Sequence, residues 1–197
     1  MDGFELRTEK KKEQIINTSI TLFQSISPKK VSIRDLAKEA NVSVATLYNY
    51  FGSKEGLIQE VVRAVLSEQL KVAEEIAYSE ESFEEKIAKI IFSKNTMIQH
   101  FHPEFINLIL KDRNMVQMIN NEFLNRTYEL ITKFINDAKE EGKITKDLSN
   151  ELILKIIELY RKDLSSEQSV LSSNEHSLDP STLINVLLYG IAGKQST

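Results

Sequence analysis

The 197-residue chain has no cysteine and no tryptophan, only three prolines and six glycines. Without cysteine there can be no disulfide and no thiolate metal site. Few breakers and few alternating β-branched runs leave little room for a β-rich fold, whose turns consume glycine and proline. No apolar run approaches the ~18 residues that a membrane helix requires. Residues 1–12 are polar and charged, with no apolar stretch behind them that could act as a signal peptide. A cytoplasmic location is therefore expected, with no membrane contact. Serine–histidine–aspartate sets, glycine-rich phosphate loops and metal-ligand spacings are also missing, so neither an enzyme, nor a cofactor, nor a metal is expected. His100 and His102 are two residues apart and point in different directions on a helix, and His176 sits among serines.

What the chain does have is helical periodicity. Apolar residues recur at spacings of three and four along most of its length, which predicts an all-α protein. Ile15, Ile16, Ser19, Leu22, Phe23 and Ile26 form the predicted buried stripe of a first helix, stopped by Pro28. Ser32 with Asp35 three residues on is a capping-box pattern at the start of a second helix, whose inward face is Leu36, Ala37 and Ala40. Asn41 is a candidate left-handed terminator. Ser43 can cap a third helix carrying Leu47 and Phe51, and Ser53 a fourth over residues 54–78. Further helices are expected near 82–101, 103–111, 114–141, 147–163 and 180–193, with Gly142 ending the longest and a serine-rich loop at 164–178.

Two short helices joined by Asn41-Val42-Ser43 have the form of a helix-turn-helix, whose second helix enters the major groove of DNA. With Leu47 set at zero and ~100° per residue, Phe51 (~40°) and Val44 (~60°) point inward. Ala45 (~160°), Asn49 (~200°) and Thr46 (~260°) point outward, with Tyr48 (~100°) and Tyr50 (~300°) on the flanks. Alanine and a threonine methyl can meet a thymine methyl, and asparagine can pair with adenine. Tyrosine hydroxyls and Lys54 suit phosphates, which fix register without reading sequence. The charge distribution agrees. Residues 1–54 carry nine Lys or Arg against six Asp or Glu, and the remainder carries the acidic excess of a chain with net charge −4.

The stretch Ser32-Ile-Arg-Asp-Leu-Ala-Lys-Glu-Ala-Asn-Val-Ser-Val-Ala-Thr-Leu-Tyr-Asn-Tyr-Phe-Gly-Ser-Lys-Glu-Gly-Leu57 resembles the DNA-binding signature of the TetR family, and Ile15 to Phe23 resembles its first helix. The resemblance covers roughly residues 10–60. It departs from the family's usual residues at Ser19, Ser27, Asn41 and Gly56. It implies an all-α fold: an N-terminal three-helix helix-turn-helix domain over residues 1–54, and a helical ligand-binding and dimerisation domain over 55–197. It also implies DNA contacts at Arg34, Thr46, Tyr48, Asn49, Tyr50 and Lys54, to which the helical angles above add Ala45.

The expected function is a ligand-responsive repressor acting as a homodimer on a palindromic double-stranded operator. The alternative is a helical interaction module that has lost DNA binding. Residues 183–193 are apolar nearly all round, and Leu152, Ile153, Ile156, Ile157, Leu159 and Tyr160 offer a matching face. Together they predict dimerisation through 150–163 and 180–193. An apolar or amphipathic effector is expected among Phe92, Phe101, Phe105, Met118, Phe123, Tyr128 and Tyr160, residues of the kind that line pockets and cores alike.

Overall fold

The computed structural model describes residues 3–164, apart from the side chains of residues 91, 94, 95, 98, 99 and 160–164. The predicted helix at 180–193, the serine-rich loop beyond Leu164, His176 and the side chain of Tyr160 lie outside the described residues. Within them the chain is helical throughout: α1 (Gly3–Ser25), α2 (Ile33–Glu39), α3 (Val44–Phe51), α4 (Lys54–Ala77), α5 (Phe83–His100), α6 (Pro103–Lys111), α7 (Arg113–Glu140) and α8 (Asn150–Leu164).

Local chemistry sets these boundaries. The Ser32 hydroxyl accepts the Asp35 N–H at 3.1 Å, and the Asp35 carboxylate accepts the Ser32 N–H at 2.8 Å, closing the predicted capping box. At the other end of α2 the Val42 N–H reaches the Ala37 carbonyl at 2.9 Å and the Asn41 N–H the Lys38 carbonyl at 3.1 Å. That double closure requires a left-handed residue, and Asn41 supplies it at φ 52°. The same closure ends α7, where Gly142 has φ 73° and the Lys143 N–H bonds to the Ala138 carbonyl. Ser43 and Ser53 cap α3 and α4 by accepting the N–H groups of Thr46 and Gly56.

Three expectations differ in detail. Ile26 was assigned to the buried stripe of α1 but is 40 % exposed, because α1 ends at Ser25 and the last turn of the stripe is never completed. The helix also extends to Gly3, well ahead of the apolar stripe. Helix α8 begins at Asn150 rather than 147, because Ser149 is the capping residue and accepts the Leu152 N–H at 3.1 Å.

The chain divides into two compact units, residues up to Gln69 with Ile98–Val116, and Leu70–Met97 with residues from Gln117 onward. The first contains all of residues 1–54. Its core is built from Ile15, Phe23, Leu36, Leu47, Leu57, Val61 and Phe105, each at most 1 % exposed. Full burial of such side chains contributes roughly 1.5–3 kcal/mol apiece before entropy is counted. The second unit buries Ile76, Phe83, Met118, Leu130, Ile135 and Ala138, with Phe83 stacked on Phe134 at 5.2 Å.

Candidate nucleic-acid interface

Helix α3 is held by one side chain. Leu47 is 1 % exposed and enters the core of the first unit, with Val44 and Phe51 half-buried beside it. Ala45 and Asn49 are exposed on the opposite face and Tyr48 is exposed on one flank, while Tyr50 and Thr46, the latter expected to point outward, are half-buried at the other edge. Tyr48 shows 49 % of its surface, and Tyr50 leans edge-on to Phe51 at 6.2 Å. The Thr46 hydroxyl shares a 2.8 Å hydrogen bond with Ser43, so its methyl is the less constrained end of the side chain. Arg34 is exposed on α2.

The end of α3 and the start of α4 are sterically fixed. Gly52 has φ 72°, and its N–H closes on the Tyr48 carbonyl at 2.8 Å. A Cβ at Gly56 would lie 2.1 Å from the Phe51 carbonyl oxygen, inside any real contact. The glycine at this position, one of the departures from the family pattern, is what lets α4 start so close behind α3. Lys54, in the first turn of α4, donates to the Pro28 carbonyl at 2.5 Å, so one of its three donors is committed to the α1–α2 turn.

Electrostatic tuning in this unit is local. The Ser32 hydroxyl and then the Ser32 backbone N–H hold the Asp35 carboxyl below its usual range, with Lys38 and Lys54 adding to the effect. Glu104, at the start of α6, is lowered first by the Ser27 hydroxyl and then by the charges of Lys29 and Lys30. His102 caps α6 by accepting the Glu104 N–H at 3.2 Å, while its own N–H reaches the Phe23 carbonyl at 3.0 Å.

The residues expected to line an effector site are distributed over both units. Phe101 and Phe105 belong to the first, where Phe105 stacks on Phe23 at 5.5 Å and on Phe101 at 4.7 Å in a packed core. In the second unit Phe92 is 73 % exposed, Met118 is buried and Phe123 half-buried. Tyr128 donates to Glu158 at 3.0 Å and lines an open groove of about 520 Å³ with Asn125, Glu129 and Thr132. Sequence reasoning missed Asn125 and Thr132, whose i, i+3 and i, i+4 spacings from Tyr128 and Glu129 place all four on one face of α7. It also missed Lys86, which is 7 % exposed one turn after Phe83. The signal was available, since a lysine there interrupts the apolar stripe of Phe83, Ile87 and Ile90.

Residues 15–61 match the family model described as bacterial regulatory proteins, tetR family. Over those residues the chain is similar to the DNA-binding domain of the TetR family. Similar proteins include the probable HTH-type transcriptional regulator YttP of Bacillus subtilis, 27 % identical over 126 residues, a match covering 63 % of this chain and 60 % of that protein. The HTH-type transcriptional repressor KstR2 of Mycolicibacterium smegmatis is 22 % identical over 151 residues, 75 % of this chain and 74 % of that one. Among solved structures, the regulator FadR of Bacillus subtilis in complex with stearoyl-CoA has the same fold, with a TM-score of 0.64 at 20 % identity over 91 % of this chain and 98 % of that one. No described helix is long and apolar enough to cross a membrane.

Proposed function

We propose that this protein is a sequence-specific transcriptional repressor of the TetR family that binds a near-palindromic operator as a homodimer and releases it on binding a small molecule. The observation that carries the reading is the two-sidedness of α3, with Leu47 sealed in the core, Ala45 and Asn49 exposed on the opposite face and Tyr48 exposed on the flank. Thr46 and Asn49 face base edges. Arg34, Tyr48 and Tyr50 flank them and hold the backbone, and Lys54 adds charge at the same edge.

Dimerisation through residues 150–163 and 180–193 is supported by α8, on which Leu152 and Leu159, seven residues apart on one stripe, are 49 % and 59 % exposed. An apolar stripe left in water favours a partner. Repression follows from occupancy, since a dimer on an operator obstructs polymerase without further contacts. Residues 1–54 act as the DNA-binding domain and 55–197 as the regulatory domain.

An apolar or amphipathic effector within residues 85–165 is supported by the large apolar side chains of that region, and by the acyl-CoA carried by the structural relative FadR. Lys86 adds a reason to favour an amphipathic one. Its side chain is 7 % exposed and forms no ion pair among the described residues, and an anionic head group would give it a partner. An effector must bind the DNA-free dimer more tightly to shift the equilibrium, and the coupling is reciprocal. Its route to the DNA is α4, which begins at Lys54 beside the recognition helix and runs to Ala77.

The test is selection from a randomised duplex library by the full-length protein. Enrichment of a near-palindrome with half-sites about one helical turn apart, or slightly more, is expected. Enrichment of no sequence would leave the helical interaction module as the better reading.

A further inference from the structure

The turn between α1 and α2 is short, basic and pinned from both sides. It carries Lys29 and Lys30, both exposed, and neither ammonium forms an ion pair among the described residues. Within the turn the Lys30 N–H donates to the Ser27 carbonyl at 2.9 Å and the Lys29 N–H to the Ser27 hydroxyl oxygen at 3.3 Å. From α6, the Glu104 carboxylate accepts the hydroxyl of buried Ser27. From α4, the Lys54 ammonium donates to the carbonyl of buried Pro28 at 2.5 Å. The second bond places the turn beside the α3–α4 junction, at the end of the recognition helix. A mobile loop would spend much of its attraction for a partner on becoming ordered, whereas a pinned one does not.

Resting on the DNA-binding reading above, we propose that Lys29 and Lys30 contact the phosphate backbone of DNA and that Lys54 is the residue that positions them. A lysine ammonium is a compact charge that suits a single phosphate oxygen and carries no base preference. Lys54 acts on DNA chiefly by holding the Pro28 carbonyl, so that one side chain governs the placement of two charges. The sequence hides this arrangement. Lys54 is 26 positions from Pro28, and an isolated pair of lysines in a turn looks like ordinary solvated charge.

The test is operator affinity of the full-length protein as a function of salt, using the duplex enriched by the wild type. The variants are Lys29→Ala with Lys30→Ala, Lys54→Ala, all three together, and Lys54→Arg. A control pair, Lys111→Ala with Lys146→Ala, removes the same charge from exposed positions elsewhere. Each lost phosphate contact lowers the slope of log affinity against log salt by about 0.9, so the double variant should lose about two. Lys54→Ala should lose a comparable amount although it removes one charge, Lys54→Arg should restore it, and the triple variant should fall little below the double. A double variant that behaves like the control pair overturns the contact. Losses that add, with about one for Lys54→Ala and about three for the triple, overturn the positioning role and make Lys54 a direct phosphate ligand. If the wild type enriches no sequence, the DNA-binding reading itself fails, and the inference with it.

Discussion

In the first unit, α2 and α3 are seven and eight residues long, and each is closed at both ends by a named device: Ser32 with Asp35, Asn41, Ser43 and Gly52. The second unit holds most of α7, which runs 28 residues, and the exposed apolar side chains Phe92, Leu152 and Leu159. Helices of two turns are far too short to persist alone, so caps and a sealed core must specify them. Long helices need only periodicity, and this leaves their outer faces free to vary. A first unit fixed by caps and core, and a second with unfinished surfaces, follow from that difference, and each can be challenged.

The largest effect should come from the core of the first unit. Phe105→Ala removes a fully buried ring stacked on both Phe23 and Phe101 and should cost about 3–5 kcal/mol in denaturant unfolding. The same truncation at exposed Phe92 in the second unit should stay within about 0.5 kcal/mol. Equal losses at the two positions would erase the contrast between the units.

Next is assembly. Leu159→Glu places a charge on the exposed stripe of α8, where a monomer would tolerate it and a closed dimer contact would not. Analytical ultracentrifugation should show a wild-type dimer and a variant shifted to monomer at micromolar concentration. A wild-type monomer, or a variant that stays dimeric, would remove α8 from the interface.

A smaller effect concerns the cap of α2. Ser32→Ala should cost about 1 kcal/mol, within the range of N-cap losses. It should also change the acid limb of stability. Asp35 titrates below its usual value because Ser32 bonds to the charged form. Its contribution is therefore present above the unfolded-state pKa and lost as pH falls through the lower folded one. Stability of the wild type relative to Ser32→Ala should shrink across that acidic window and be flat near neutrality. A difference that grows on acidification would contradict the assignment.

Most of the helical layout was legible in the sequence, for the same reason that the two units differ. Ser32, Asp35, Asn41, Ser43, Ser53 and Gly142 act through the backbone within a few residues, so their roles can be read locally. Which side of α3 is buried was legible because Leu47 and the helical angle place Ala45 and Asn49 in the open, although Thr46, expected to point outward, is half-buried. Long-range partners were not legible. Nothing local joins Lys54 to Pro28 or Ser27 to Glu104, 77 positions apart. Phe101 and Phe105 had the residue type of a pocket lining, yet Phe105 stacks on Phe23 and Phe101 stacks on Phe105 in a core, because an aromatic side chain suits either setting. Ile26 fitted the period of α1 but fell after its last turn.

The central claim is that the outward face of α3 reads base sequence. The most direct measurement is a selection from a randomised operator library by the wild type and by Asn49→Ala. The account predicts that the variant binds the wild-type operator about 1–3 kcal/mol more weakly and relaxes preference at one or two positions in each half-site. A variant that selects the same sequence with undiminished preference would show that Asn49 does not face the bases, and that the assigned orientation of the recognition helix is wrong.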